Sequence, residues 1–591
     1  MANGNKSSTT IRRRTQRKVV KTPHSTISTH CNQKGESWSF LEKFTSFCYS
    51  SASEDVEPEI SKEKLFGPSS IQKIMSSEKT LFMGLIVVRL INAMMIQTSF
   101  VPDEYWQSLE VAHRSAFGYG YLTWEWRVGL RGYSYPLIFT FIYKLLAIFK
   151  IDNRLLLIKL PKILQALFAG VGDLYLYRFS RRISNQATAQ WSLFCQLTSW
   201  FTFYCCTRTL TNSTEATMMP IALYYFPWPD KTRKSQWKFV LLVGIAVMFR
   251  PTAAILWLPM CLWHVWLNRR WPAFKTIMKI YTSTGLFLFG LTMLVDKHFY
   301  RDWTVVQWNF LKFNFLSDMG TFYGSHPWHW YISQGFNVVI GTHFFPFIFG
   351  VRNTKNIVLL YMIAWTVGIY SLLGHKEFRF IYPILPIAMH ICGEYLSTLD
   401  RKSKTVTASD EKAHNFSIIG GNFNGLIKKV LTGRTAALFL LLTNIPAMLY
   451  FGLLHQRGTL DVMKYLANSA AAMPGYRKMD ILFLMPCHST PYYSYLHTNV
   501  GMRFLTCEPD LTASAVNYTD EADLFYDSPG QWLNHTFPVN SALPTHLVMY
   551  NVLHKKISSF LSRNDYKQCA RIFHTHLPEG RVGTHILVYC T

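Results

Sequence analysis

The feature that most limits what this chain can fold into is a series of apolar runs along residues 81–454. They are Leu81–Gln97, Tyr135–Phe149, Leu155–Tyr177, Trp191–Cys206, Ala216–Trp228, Phe239–Phe249, Ala253–Leu267, Ile277–Val295, Phe336–Gly350, Ile357–Leu373, Phe380–Ile391 and Ala436–Leu454. A soluble chain of this length would divide into several domains and carry about 25% charged residues to solvate them. Here charged residues are 16%, against 49% hydrophobic and 16% aromatic. The runs therefore predict the helices of an integral membrane protein, although several are shorter than the ~20 residues a straight crossing needs.

Charge gives the expected orientation. Lys and Arg number 60 and Asp and Glu 34, a formal charge of +26. In a soluble protein that excess would point to nucleic acid. Here the basic residues gather at the ends of apolar runs, the pattern of cytosolic loops, and no nucleic-acid partner is expected. Residues 1–79 open with Lys6, Arg12, Arg13, Arg14, Arg17, Lys18 and Lys21, carry no acid up to that point, and have no apolar run before Leu81. They predict a disordered basic cytosolic tail rather than a signal peptide. Basic connections at Arg178–Arg182, Lys231–Lys238, Arg269–Arg270, Arg352–Lys355 and Arg401–Arg434 belong on the same side as the tail. The opposite side then receives loops 99–132 and 296–334, the turn His375–Arg379 and a C-terminal domain, 455–591. An odd number of runs separates Gly132 from Asp296, so one run between them does not cross.

Residues 455–591 hold strand-like patches at Asp480–Leu484 and His585–Tyr589, and sequons at Asn517 and Asn534. Cys487, Cys507, Cys569 and Cys590 form an even set outside the bilayer. In an oxidising lumen they suggest disulfides with three pairings open, free buried thiols being the alternative.

Candidate chemistry sits on the non-cytosolic side. Asp103 and Glu104 follow Pro102 at the end of the first run. Two carboxylates at an interface suit a general base, since partial desolvation raises basicity, and they equally suit an acidic helix N-cap. The same loop carries Trp106, Gln107, His113, Trp124, Glu125 and Arg131, a mixture fit for sugar contacts or for an interfacial aromatic belt. The turn His375-Lys376-Glu377-Phe-Arg379 puts three cations and an acid at the membrane edge, against the positive-inside rule. It suits an anion such as a lipid phosphate, or an ion-paired helix cap. Arg208 lies in the polar patch Thr207–Glu215, which reads as a head-group contact or as a capping turn. His326 and His329 have metal-like spacing without a third ligand, and aromatic packing accounts for them. No Walker loop, G-x-G-x-x-G, G-x-S-x-G or H-E-x-x-H is present, so a nucleotide-sugar donor on a Rossmann domain is not supported.

Taken together, Arg89-x-x-Asn92-Ala93, Pro102-Asp103-Glu104-x-Trp106-Gln107, Thr123-Trp124-Glu125, Leu130-Arg131, Tyr135-Pro136, Thr207-Arg208-Thr209 with Asn212-Ser213-x-Glu215, and His375-Lys376-Glu377-x-Arg379-Phe380 resemble the dolichyl-phosphate-mannose-dependent mannosyltransferases of glycosyltransferase family 22. The resemblance runs over residues 80–591 in motif order. Within the family, Met485-Pro-Cys487-His488-Ser-Thr-Pro-Tyr-Tyr-Ser494 and Asp520-Glu521-Ala-Asp523-Leu-Phe-Tyr526 resemble the branch that adds the third mannose of the glycosylphosphatidylinositol anchor.

The resemblance implies an all-α polytopic GT-C fold with a mixed α/β lumenal C-terminal domain. It also implies the endoplasmic reticulum membrane, and partners that are a lipid-linked donor and a glycolipid acceptor. Transfer from the β-linked donor to an α-1,2 product inverts the anomeric carbon, which needs one base and no covalent intermediate. Asp103 fits the base, with Glu104 in support. His375, Lys376 and Arg379 fit the donor phosphate, and Trp106, Gln107, His113, Trp124, Glu125, Arg131, Arg208 and Glu377 are candidate substrate contacts. No carboxylate cluster stands ready for a divalent ion, so no metal cofactor is expected. The rival readings are a sibling mannosyltransferase of N-glycan assembly or of the fourth anchor mannose, and a polytopic lipid transporter. The last would predict internal repeats or facing broken helices, and none is visible.

Overall fold

The computed structural model describes residues 77–229, 231, 235–316, 322, 324–412, 432–472, 479–510 and 518–591. The basic tail up to residue 76, most of the Arg401–Arg434 connection and the sequon Asn517 lie outside them.

The apolar runs fold as helices: α1 (Glu78–Met95), then a short loop helix α2 (Glu110–Phe117), α3 (Pro136–Ile148), α4 (Arg154–Ile183), α5 (Gln186–Thr198), α6 (Thr211–Tyr225), α7 (Gln236–Phe249), α8 (Ala253–Leu267), α9 (Ala273–Tyr300), α10 (Phe344–Asn353), α11 (Ile357–Leu372), α12 (Leu385–Lys412), α13 (Gly433–Leu453) and α14 (Gly458–Ala472). Local chemistry sets their ends. Asn153 and Asn185 accept from Leu156 N and Thr188 N to cap α4 and α5. Thr432 and Thr435 close a capping box on α13, and Arg181 and Arg182 complement the C-terminal dipole of α4. Arg154–Ile183, Ala273–Tyr300, Tyr331–Asn353 and Gly433–Ala472 are long and apolar enough to cross a membrane alone.

Two runs expected as single helices are broken. Trp191–Cys206 divides at Ser199, whose hydroxyl caps a second short helix, Trp200–Cys205, by accepting from Thr202 N. Phe336–Gly350 divides at Gly341, which has φ +58°. A Cβ there would lie 2.8 Å from the Trp200 ring, so only glycine permits both the turn and the close approach.

α3 lies with both of its ends toward one part of the molecule. Its first residues border the cavity described below, and the chain leaving its other end returns to the same side: Asp152 Oδ2 lies 3.6 Å from His497 Nε2, and Arg154 Nε donates to the Tyr495 carbonyl at 2.5 Å. Both ends of α3 therefore sit against the cavity and C-terminal side. A helix of 13 residues spans about 20 Å, short of the ~30 Å hydrocarbon core.

The C-terminal segment folds into a five-stranded sheet of order β2-β1-β3-β5-β4. The strands are β1 (Asp480–Leu484), β2 (Gly501–Phe504), β3 (His546–Tyr550), β4 (Lys567–Phe573) and β5 (His585–Cys590). β1 runs parallel to both neighbours, and β5 antiparallel to β3 and β4. Central β3 is buried along its whole length. The four cysteines are paired Cys487–Cys507 and Cys569–Cys590. The first pair joins the chain just beyond the C-terminal ends of the parallel strands β1 and β2, and the second ties β4 to β5. One hydrophobic core contains Tyr105, Trp106, Leu109 and Tyr143 of the membrane module together with Met463, Ile481, Phe483, Tyr492 and Val588. The C-terminal part is thus packed into the module rather than appended to it.

Candidate functional site

Asp103, Gln107, Arg131, Asn212, Arg250, Asp296, His375, Arg379 and His488 open onto one cavity of about 920 Å³. That volume is at the upper end of small-ligand sites. Its walls come from the 101–136 loop, the tops of α6, α7, α9 and α11, the turn after α11, and the Cys487–Cys507 link.

The centre of the site is a chain of charges. Asp103 sits in the first turn after Pro102, ahead of a π-helical turn at Tyr105–Leu109, and no side-chain cap bond closes that helix start. Its carboxylate is instead ion-paired with Arg379 Nη1. Arg379 grips Glu377 with its other edge, Nε to Oε2 at 2.7 Å and Nη2 to Oε1 at 2.6 Å. His375 adds a contact to Glu377 through Nε2 at 3.1 Å and presents Nδ1 to the Gly324 carbonyl at 3.0 Å. An imidazole facing a carbonyl with one nitrogen and a carboxylate with the other satisfies both as the imidazolium. Burial works against that charge, but the hydrogen bond to Glu377 wins and raises the His375 pKa. Burial likewise opposes ionisation of Glu377, and Arg379 and His375 hold its carboxyl well below the usual range. The turn is fixed from beneath: Tyr331 Oη donates to the Glu377 carbonyl and accepts from Glu377 N, and Asn212 Nδ2 donates to the Arg379 carbonyl at 2.9 Å.

Other expected site residues divide. Gln107, Trp124, Glu125 and Arg131 line the cavity; Glu125 Oε1 takes Arg131 at 2.6 Å and Gln107 approaches its other oxygen at 3.4 Å. Lys376 reaches the cavity lining, but its ammonium donates to the carbonyls of His326 (2.8 Å), Leu373 and Gly374, so it staples the turn rather than offering its charge.

Four of the expected residues stand away from the cavity lining. Glu104 and Arg208 are both fully buried and paired at 2.7 Å, with Arg208 also donating to the Thr98 and Tyr204 carbonyls. They lock the first loop to the α5–α6 connection beneath the site. Trp106 is buried against His488, Tyr492 and Phe504, and its backbone carbonyl takes the Trp126 indole. His113 is buried with Nε2 3.0 Å from His497 Nδ1, and burial lowers its pKa to about 3. In each case the packing partner comes from a distant segment that the local pattern does not reveal.

Arg250, Asp296 and His488 join the site without having been singled out for it. Arg250 Nη1 holds Glu215 Oε2 at 2.7 Å, and its guanidinium and that of Arg379 each lie 5.4 Å from the Phe380 ring centre. A signal existed: an Arg ending an apolar run on the expected lumenal side breaks the positive-inside rule just as the His375–Arg379 turn does. Asp296 accepts from Tyr133 N at 2.8 Å and holds the loop in place. Cys487, His488 and Cys507 bring possible ligand atoms within 4.8 Å of one another. Because the two sulfurs are joined to each other, that grouping offers a single imidazole and does not fit a metal ion. His326 and His329 face different partners, a stacked Trp330 ring and Ser333.

Known proteins resemble this chain. A GPI alpha-1,2-mannosyltransferase 3 of Mus musculus is 48% identical over 85% of this chain and 87% of its own. The Homo sapiens protein of the same name is 46% identical over 85% of each. Among solved structures, ArnT from Cupriavidus metallidurans bound to undecaprenyl phosphate superposes with a TM-score of 0.52 at 13% identity, covering 86% of this chain and 97% of that one. That likeness shows the GT-C fold. The model of the Alg9-like mannosyltransferase family matches residues 80–497, the stretch that builds nearly all of the cavity, and the chain belongs to that family.

Proposed function

We propose that this enzyme transfers mannose from dolichyl phosphate mannose to a glycosylphosphatidylinositol precursor. It forms the α-1,2 linkage of the third mannose at the lumenal face of the endoplasmic reticulum membrane, with its N-terminus cytosolic. The observation that carries the reading is the Asp103–Arg379 ion pair inside the cavity, which joins a carboxylate base to a cation suited to phosphate. The names borne by the relatives supply the acceptor.

In this mechanism the acceptor hydroxyl oxygen attacks the anomeric carbon from the face opposite the phosphate. The new C–O bond forms as the bond to the phosphate oxygen breaks, and its electron pair leaves with dolichyl phosphate. Asp103 takes the hydroxyl proton. As it becomes neutral, Arg379 loses one counter-ion and the departing phosphate gains a negative charge. The guanidinium therefore passes from carboxylate to phosphate without the site changing its total charge. His375 and Arg250 add cationic potential in a partly desolvated cavity, where it counts for more than in water. These cations supply the leaving-group stabilisation, and no divalent ion is assigned a step.

The test is transfer from labelled dolichyl phosphate mannose to a ladder of anchor and N-glycan intermediates in microsomes. Label should appear on the anchor intermediate ending in two mannoses. Label on an N-glycan intermediate instead would replace this acceptor assignment.

A further inference from the structure

The Met485–Ser494 motif is not part of the membrane module, yet it reaches the cavity. His488 lines the same space as Asp103, and it arrives there between the two cysteines of a disulfide. Its backbone is left-handed, φ +59°, an uncommon conformation for a non-glycine residue. Here Cys487 is tied to Cys507 next to it, and the ring is held between Trp106 and Phe504 at centroid distances of 5.0 and 4.9 Å. Nδ1 is turned to Cys507 Sγ at 3.9 Å, which leaves Nε2 as the nitrogen free to serve the cavity.

The surroundings of His488 differ in kind from those of the His375–Arg379 turn. Its ring neighbours are aromatic and its near heteroatom is sulfur. Burial pushes its pKa down to about 4, although the Asp103 carboxylate pulls the other way. At neutral pH it is an uncharged imidazole within the field of the base. A phosphate calls for the cations of the turn; an uncharged imidazole lining the same cavity as the base suits a sugar hydroxyl, whose proton Nε2 accepts when Nδ1 carries the hydrogen toward the sulfur.

We infer that His488 is an acceptor-binding residue: its Nε2 holds a hydroxyl of the acceptor's terminal sugar so that the neighbouring hydroxyl meets Asp103. The disulfide-pinned motif then makes the C-terminal segment the part of the enzyme that reads the acceptor. This inference rests on the mannosyl-transfer reading above.

The experiment uses the full-length enzyme in detergent or nanodiscs, labelled dolichyl phosphate mannose, and a synthetic anchor precursor ending in two mannoses. KM is measured for each substrate separately. His488→Phe keeps the ring and removes both nitrogens. It should raise the acceptor KM about tenfold, the loss of one neutral hydrogen bond, with donor KM within about twofold. His488→Asn tolerates the left-handed backbone but places its amide at the Nδ1 position, so it should behave like Phe. His488→Gln, whose amide reaches the Nε2 position, should recover to within about threefold of the parent. An acceptor KM unchanged in the Phe and Asn variants, or donor and acceptor KM rising together, would overturn the assignment and leave the ring as packing. Wild-type enzyme that ignores the anchor precursor and uses an N-glycan intermediate would sink the acceptor reading instead, and the same KM split on that acceptor would still decide the role of His488.

Discussion

Asp103 and Glu104 are adjacent in sequence yet serve opposite sides of one helical turn. Asp103 opens to the cavity and meets Arg379, while Glu104 is sealed in the interior against Arg208. A paired-carboxylate motif thus separates into a group open to the cavity and one sealed in the interior. Asp103→Asn should accumulate normally and transfer about 10²–10⁴-fold more slowly, the usual contribution of a positioned base. Glu104→Gln leaves Arg208 buried without its counter-charge. Breaking such a pair costs about 3–5 kcal/mol, so this variant should be scarce in the membrane. Rate per enzyme molecule and steady-state abundance, measured on both variants, separate the two roles.

Arg379 uses three nitrogens on two carboxylates, a geometry that Lys lacks. Arg379→Lys keeps the charge and loses the fork, so transfer should drop by about tenfold or more, two charge-assisted hydrogen bonds being at stake. Single-turnover rates with saturating donor will show it. A variant with parental rates would reduce the turn to a helix cap.

His375 gives the site a pH limit. Its folded pKa is raised above the usual histidine value by Glu377. The imidazolium and the stability it adds are therefore complete below about 6.5 and vanish as pH climbs through the raised value. Donor KM should rise on the alkaline side and stay flat in His375→Ala. A parallel alkaline rise in both proteins would assign the titration to another group.

The Cys487–Cys507 link closes 20 residues of sequence separation, which corresponds to about 3 kcal/mol of chain-entropy stabilisation. Replacing both cysteines by Ser should lower the thermal midpoint and raise acceptor KM in the manner of the His488 variants. A lower midpoint with untouched acceptor KM would show that the link braces the sheet and not the cavity wall.

Asn534 lies on the outer part of the C-terminal segment, its Oδ1 accepting from Arg563 at 2.8 Å. If that segment is lumenal, Asn534→Gln should abolish a glycosidase-sensitive mobility shift. Asn212 also begins a sequon, but it is buried and donates to the Arg379 carbonyl, so Asn212→Gln should change activity and not mobility.

Much of this molecule could be read from local pattern. β1 begins and ends where the strand-like patch Asp480–Leu484 does, and β5 extends the other patch by a single residue. Asp103 and the His375–Arg379 turn, each singled out as charge at the end of an apolar run, meet in an ion pair. What stayed hidden was pairing across distance. The run that became α3 is apolar like its neighbours, and only the contacts of Asp152 and Arg154 with residues 495–497 reveal that its far end lies against the C-terminal segment. Trp106 and His113 carry the chemistry of a sugar subsite, yet they are occupied by Tyr492, Phe504 and His497, residues nearly four hundred positions later.

Those same long-distance contacts constrain how such an enzyme can diversify. Glu110 accepts from Tyr492 N and from the backbone and hydroxyl of Ser494, and Arg154 holds the Tyr495 carbonyl. A lineage seeking a new acceptor cannot graft on a foreign C-terminal half, because the graft would arrive without the sockets cut for it in the first loop. Recombination at the seemingly natural junction near Leu454 should yield dead hybrids, whereas exchanging the 485–510 stretch together with its Glu110, His113 and Arg154 counterparts transplants a matched set.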